Sequence, residues 1–176
     1  VSQKNFGFTL IEMMVTVAVA AILLTVAIPS FTQMIDKKRL ESAAENLYAD
    51  LQFAQSEAIK RNKTIRVFFY ANDSDWCYGL TENLNCNCQE TNPTDSDFCE
   101  IEGILKTVHD ADFKDISFSS NRSSFSFSPL RGAVNTGSAQ FQSANNKILQ
   151  IKVSSFGRFR LCSPSGEGNV AGYPKC

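Results

Sequence analysis

Residues 7–31, GFTLIEMMVTVAVAAILLTVAIPSF, decide how the rest of the chain is read. The apolar run continues past them, so that Met13–Ile35 holds 23 residues without a formal charge. As a helix, that length crosses a hydrocarbon core about 30 Å thick. Ahead of it lies a short polar leader, VSQKNFG, with Lys4 as its one charged side chain. A secretory signal carries a small-residue cleavage site after its apolar stretch, whereas here the break from polar to apolar precedes it, at Gly7-Phe8. Cutting at that bond removes the leader and leaves the hydrophobic helix on the mature protein.

Glu12 is the anomaly in this segment. A carboxylate near the start of a membrane helix is costly in lipid and calls for a partner. A position at headgroup depth, facing water, would satisfy it in an isolated chain. Cleavage at Gly7-Phe8 offers a more specific answer, because it creates an α-amine four residues from Glu12. In a helical assembly, the carboxylate of one subunit then neutralises the terminal amine of its neighbour.

With glycine before the cut, phenylalanine after it and Glu12 at the fifth mature position, the segment resembles the type IV prepilin signature. The resemblance implies cleavage and N-methylation by a prepilin peptidase, with Phe8 the methylated residue. It also implies that Glu12 directs incorporation into a growing filament, alongside other major and minor pilins. Pro29 matches the proline that commonly bends pilin helices, and its missing N–H supplies the cause. Lys37, Lys38 and Arg39 follow the span, so the positive-inside rule alone would place the C-terminal part in the cytoplasm. Cysteine usage and the pilin resemblance both place it outside. The expected location is a single pass through the inner membrane with a periplasmic globular domain, carried into an extracellular pilus or a periplasmic pseudopilus.

The chain has 176 residues, 43% hydrophobic and 20% charged, enough for one globular domain beyond the anchor. The expected division is a leader at 1–7, a membrane and filament-core helix at 8–35, an amphipathic helix half at 36–62 and a β-rich globular domain at 63–176. A net charge of −1 hides an asymmetry. Residues 71–120 carry eleven acids against Lys106 and Lys114, and residues 121–176 carry seven bases against Glu167 alone. That contrast concerns surfaces and partners, not fold.

All six cysteines lie beyond residue 76, an even count that points to disulfides formed in an oxidising compartment. Cys162 and Cys176 bracket a loop rich in Gly, Pro and Ser and are expected to pair. Cys77, Cys86, Cys88 and Cys99 are clustered, and their pairing stays open. A bond between Cys86 and Cys88 is disfavoured, because one intervening residue makes good disulfide geometry hard to reach. A zinc site on these four is a weak alternative, since C-x-C with distant flanking cysteines departs from paired C-x₂-C spacing. No metal and no cofactor is expected.

Leu40, Ala44, Leu47, Leu51, Ala54 and Ala58 recur at spacings of three and four, an apolar stripe that extends the helix to about Arg61-Asn62. Thr64–Tyr70 and Trp76–Leu80 read as strands around a turn at Asn72–Ser74. Residues 82–100 read as a polar loop tied by cysteines. Ile116–Phe118 and Ser124–Ser128 read as a short pair of strands, with another starting at Gln140-Phe141. Lys147–Ser154 and Arg158–Cys162 read as a hairpin turning at Ser155-Phe156-Gly157. The expected fold class is α+β: a long N-terminal helix whose C-terminal half packs on an antiparallel sheet, pilin-like.

No catalytic constellation is present in the sequence, and the chain is not read as an enzyme. His109 is the single histidine, in the acidic stretch VHDADF, and is expected at the surface. The remaining motif is Gly157-Arg158-Phe159-Arg160. On a strand the two arginines share a face about 6.6 Å apart, at a rise of about 3.3 Å per residue, comparable to neighbouring phosphates of a nucleic-acid strand. Lys147, Lys152 and Lys175 lie nearby in sequence. The bland alternative is a solvated face, or arginines paired to acids of the same or an adjacent subunit.

A helix ending in FAQSEAIKRN, a strand carrying Trp76-Cys77 and the late segment VSSFGRFRLC resemble the GspH/FimT/FimU group of minor pilins and pseudopilins. Such proteins prime pilus assembly or sit at the filament tip. Some FimT-like members bind DNA during natural transformation through Gly-Arg-x-Arg, which maps onto Gly157, Arg158 and Arg160. Lys147 and Lys152 are further candidates for such contact, which would be non-sequence-specific. Three readings follow: a structural minor pilin, a DNA-binding minor pilin, and a type II secretion pseudopilin acting in protein export.

Overall fold

A computed structural model describes residues 8–72 and 75–176, with the side chains at 26 and 28–30 outside the description. The expected leader, Gly7 included, and two residues of the turn expected at 72–74 therefore lie outside the described residues. The chain divides into two compact units, Val1–Ile35 and Asp36–Cys176. One helix, α1, runs Leu10–Arg61 and contributes to both. Every described side chain from 8 to 25 is exposed. Among the described residues no helix is long and apolar enough to cross a membrane. The charge-free span read from the sequence includes positions 26 and 28–30, which fall outside that statement.

Within the second unit the stripe on α1 is the centre of the core. Leu40, Ala44, Leu47, Leu51, Ala54 and Ala58 are all fully buried. Small residues at half of these positions let the strands approach the helix closely. Each large apolar side chain buried there contributes roughly 1.5–3 kcal/mol. α1 closes at Arg61, where Asn62 turns into the left-handed region at φ 54°.

The strands follow as β1 (Ile65–Ala71), β2 (Trp76–Thr81), β3 (Glu100–Ile101), β4 (Ile104–Leu105), β5 (Thr107–His109), β6 (Ile116–Ser120), β7 (Ser124–Phe127), β8 (Gly137–Ser143), β9 (Ile148–Val153) and β10 (Phe159–Cys162). They form two four-stranded antiparallel sheets, ordered β5-β2-β1-β7 and β10-β9-β8-β6, and a two-stranded hairpin of β3 and β4. The sequence reading expected one sheet and paired the strands at 116–118 and 124–128 with each other. The structure separates them: β6 pairs with β8 and β7 with β1. Both alternate serine with apolar residues, so each buries one face in the core and pairs along its edge with a longer strand instead of its sequence neighbour. His109, expected at the surface, is half-buried opposite Cys77.

An aromatic cluster joins the sheets. Trp76 stacks on Phe113 with ring centroids 6.0 Å apart and meets Phe141 edge-on at 5.3 Å. Its indole N–H donates to the Ile116 carbonyl at 2.7 Å, which satisfies the one polar group of the buried ring. Tyr78 donates its hydroxyl to Asp50 of α1 at 2.8 Å, and burial pushes the Asp50 carboxyl above its usual range.

Each sheet carries a disulfide-fastened excursion. All six residues of β2 are buried, because Trp76, Tyr78 and Leu80 face the core while Cys77, Gly79 and Thr81 lie under the 82–101 segment. Cys77–Cys88 and Cys86–Cys99 hold that segment down, so the sulfurs considered for zinc are bonded to one another. Gly79 makes this possible: a Cβ there would stand 2.4 Å from Cys99 Sγ. On the second sheet Cys162 bonds Cys176, and the 163–176 segment returns beside β10, with Ser163 bridging Lys175.

Candidate functional site

Two regions hold the residues singled out by the sequence. The first is the start of α1. Thr9 caps it, its Oγ1 accepting the Glu12 backbone N–H at 3.3 Å. The pattern Thr9-x-x-Glu12 is that of a capping box, and a carboxylate in the first turn also complements the helix dipole. Thr9 thus has a local role that the sequence reading left out, although the spacing was there to be read. Phe8 lies just outside the helix and is 73% exposed. Gly7, the other half of the expected cleavage site, lies outside the described residues.

The second region is the β9–β10 hairpin. Its ladder sets Phe159 opposite Val153, Arg160 opposite Lys152 and Leu161 opposite Ile151. Phe159 and Leu161 belong to the core side, so Arg160 and Lys152 share the outer face. Arg158 precedes β10, yet its backbone continues the ladder: Ser154 N–H donates to Arg158 O at 3.1 Å, and Arg158 N–H donates to Ser154 Oγ at 3.3 Å. By register Arg158 falls on the face of Arg160. Arg160 donates to the Lys175 carbonyl at 2.7 Å and Lys152 to the Cys176 backbone oxygen at 3.2 Å. Both cations therefore fasten the C-terminal segment as well as charging the face. Like charges directly opposite on a ladder repel. Among the described residues, Lys152, Arg158 and Arg160 make no ion pair with an Asp or Glu side chain, unlike Lys37, Lys38, Arg39, Lys60, Arg61 and Lys63.

Lys147 is not part of this row. It sits at the opposite end of β9, where its ammonium donates to the Glu167 carbonyl at 2.8 Å. Five residues of extended strand separate it from Lys152, about 16 Å. Adjacency in sequence had grouped the two.

Gly157 closes the hairpin turn at φ +69°, donating its N–H to Ser154 O at 3.0 Å. The amide of Gln55, on α1, donates to the carbonyls of both Gly132 and Gly157, at 3.1 and 3.2 Å. The turn that presents Arg158 is therefore held on the helix. Gln55 was not singled out from the sequence, where a half-buried glutamine beside an apolar stripe gives no sign of a partner about a hundred residues away.

Among the described residues no group of His, Cys, Asp and Glu is placed to hold a metal ion. Comparison with known proteins agrees with the fold. The minor pseudopilin EpsH from the Type 2 Secretion System of Vibrio cholerae is 10% identical with a TM-score of 0.52, over 73% of this chain and 99% of that one. The type IV minor pilin FimU of Pseudomonas aeruginosa is 19% identical with a TM-score of 0.50, over 77% and 95%. At such identities the likeness is one of fold. No curated protein matches the chain. In sequence, the prokaryotic N-terminal methylation motif matches residues 2–28, and the family described as Type II transport protein GspH matches residues 43–169. That second match spans most of the chain, which therefore belongs to the GspH family of pilin-like proteins.

Proposed function

We propose that the chain is a minor subunit of a type IV pilus, held in the inner membrane by residues 8–35 until it is drawn into the filament. Prepilin peptidase cuts at Gly7-Phe8 and methylates Phe8, and Glu12 meets the new amine of a neighbouring pilin. The observation that carries this reading is the contrast along α1. Its described side chains from 8 to 25 are all exposed and mostly apolar, whereas the stripe from Leu40 to Ala58 is buried. An apolar helical surface of that length needs lipid or other helices around it. The test is recovery of the chain in sheared pili. Incorporation that is lost with Glu12→Ala, while cleavage persists, supports the reading. Retention of a processed chain in the membrane, with effects on protein export instead, favours a type II secretion pseudopilin.

A finer role rests on the hairpin. Arg158, Arg160 and Lys152 form a cationic row without Asp or Glu partners among the described residues, suited to phosphates at the spacing of a nucleic-acid strand. In this reading the subunit sits at the pilus tip and captures DNA without sequence preference. Full-length protein in detergent should bind DNA with an affinity that falls as salt rises. Arg158→Gln/Arg160→Gln should lower it about tenfold or more and flatten the salt slope by about two. Equal binding by wild type and double variant would remove the arginines from that role.

A further inference from the structure

We propose that the corner where the β9–β10 turn meets α1 is a docking site for the acidic, disulfide-tied 82–105 segment of a second copy of this chain. The inference rests on the filament-subunit reading and names a partner for it. The corner is built from three places. Ile59 projects from α1, Leu130 from the turn after β7, and Phe156 from the tip of the β9–β10 turn, all exposed, with Phe156 at 83%. They are brought together by the Gln55 amide, bound to the carbonyls of Gly132 and Gly157. A Cβ on Gly132 would touch Ile59 Cδ1 at 3.1 Å, and one on Gly157 would stand 2.6 Å from Gly132 O. Ser155 O also accepts the Val134 N–H at 3.3 Å. The two turns thus form one fixed surface with an apolar centre. Its rim is positive: Arg131 and Arg158 are exposed, and neither has a carboxylate partner among the described residues.

The same chain carries the complementary surface. Residues 82–105 hold six acids and no base. Glu82 and Glu102 are neutralised within the chain by Arg61 and Lys63, but Glu90, Asp95, Asp97 and Glu100 have no cation partner among the described residues. The apolar element is here too. Leu84 is 83% exposed, and Ile104 and Leu105 are exposed on the β3–β4 hairpin. Asn83, Glu100 and Gly103 line one cavity of about 490 Å³, so the chain leading into Leu84 passes the hairpin. Two disulfides keep this segment in a single shape, so docking it costs little ordering entropy.

The corner draws on both sheets, through the turn after β7 and the β9–β10 turn, and is tied to α1 at Gln55, whereas the acidic segment follows β2 and is tied to α1 at Arg61. A chain with two distinct complementary patches associates head to tail, leaving one of each kind free at the ends, which is the contact that builds open assemblies. Charge complementarity sets its register and suppresses like-with-like pairing. Arg158 belongs to both this contact and the cationic row, so a docked copy shields it, and DNA capture falls to a copy whose corner is uncovered.

The test is self-association of the full chain in detergent micelles, followed by sedimentation at low and high salt. Wild type should associate in a salt-sensitive way. Arg131→Glu/Arg158→Glu and Asp95→Lys/Asp97→Lys should each weaken association about tenfold, and mixing the two variants should restore it. Phe156→Ser should weaken it without changing the salt slope. Absent association, or association indifferent to both reversals or not restored by mixing, overturns the proposal. So does a basic-corner variant that loses DNA binding while associating normally. These failures leave the filament-subunit reading untouched if the chain is still cleaved and recovered in pili, whereas loss of cleavage and recovery removes that reading.

Discussion

Gly157 carries two burdens at once, a left-handed backbone and contact with the helix. A Cβ there would stand 2.0 Å from Gln55 Nε2 and 2.6 Å from Gly132 O. Gly157→Ala should therefore cost about 1–3 kcal/mol in denaturant unfolding and lower DNA affinity, although it removes no charge. Gly157 thus acts in the hairpin as a positioning residue. At the far end of α1, Glu57 binds Arg61 and Lys60, and Arg61 also reaches Glu82 at 2.6 Å and Glu102 at 2.9 Å. The Arg61 hydrogen bond holds the Glu57 carboxyl below its ordinary 4.5, and the Lys63 hydrogen bond holds Glu82 below the same value. With depressed folded values, their stabilisation is complete above 4.5 and is lost as pH falls through the folded values. Asp50 runs the other way: its raised value makes its charge unfavourable as pH rises through the carboxylate range. Glu57→Gln should flatten the acid limb of a stability–pH profile, and Asp50→Asn should flatten the opposing slope above it, both read by thermal unfolding across pH 3–7.

Elements differed in how far sequence alone revealed them. The stripe from Leu40 to Ala58 was legible because six positions repeat one period, and each of them is buried. The β9–β10 hairpin was legible because Gly157 closes a run of alternating residues. The pairing of β6 and β7 was not, since a Ser/Phe alternation reports a buried face but not the strand that covers the edge. The short β3, β4 and β5 escaped notice because two or three residues carry no period. Of the disulfides, Cys162–Cys176 closes a single loop and has no rival nearby. The other four cysteines have three possible pairings, decided by Gly79 making room for the Cys86–Cys99 bridge on β2, a steric fact invisible before the register is known. The C-terminal bridge closes a loop with a sequence separation of 14, so Cys162→Ser/Cys176→Ser should cost about 3 kcal/mol. It should also release the backbone oxygens that Lys152 and Arg160 bind. Reduced stability by denaturant titration, with DNA affinity maintained or raised, is the expected pair of results.

At the scale of the molecule, the chain is a helix with two kinds of surface. From Leu40 to Ala58 the helix carries a domain whose sheets each bear a disulfide-fastened excursion. Before that it offers apolar side chains with no cover of their own within the described residues. The charge asymmetry of the sequence becomes an acidic excursion on one sheet and a basic hairpin on the other. The pilin-like family was legible from residues 7–31 because leader, break, carboxylate and apolar run occur together in one short segment, where the N-terminal methylation motif matches. A role for Arg158 is less legible, since a short basic motif does not name its partner. Everything in the filament reading turns on whether the chain enters the pathway as a prepilin. The most direct measurement is intact mass and N-terminal sequencing of the protein co-expressed with a prepilin peptidase. A mature chain beginning at N-methylated Phe8, with Gly7 and the leader gone, is the expected result. A chain that keeps residues 1–7, or is cut after the apolar run instead of before it, would contradict a filament subunit anchored by its own α1.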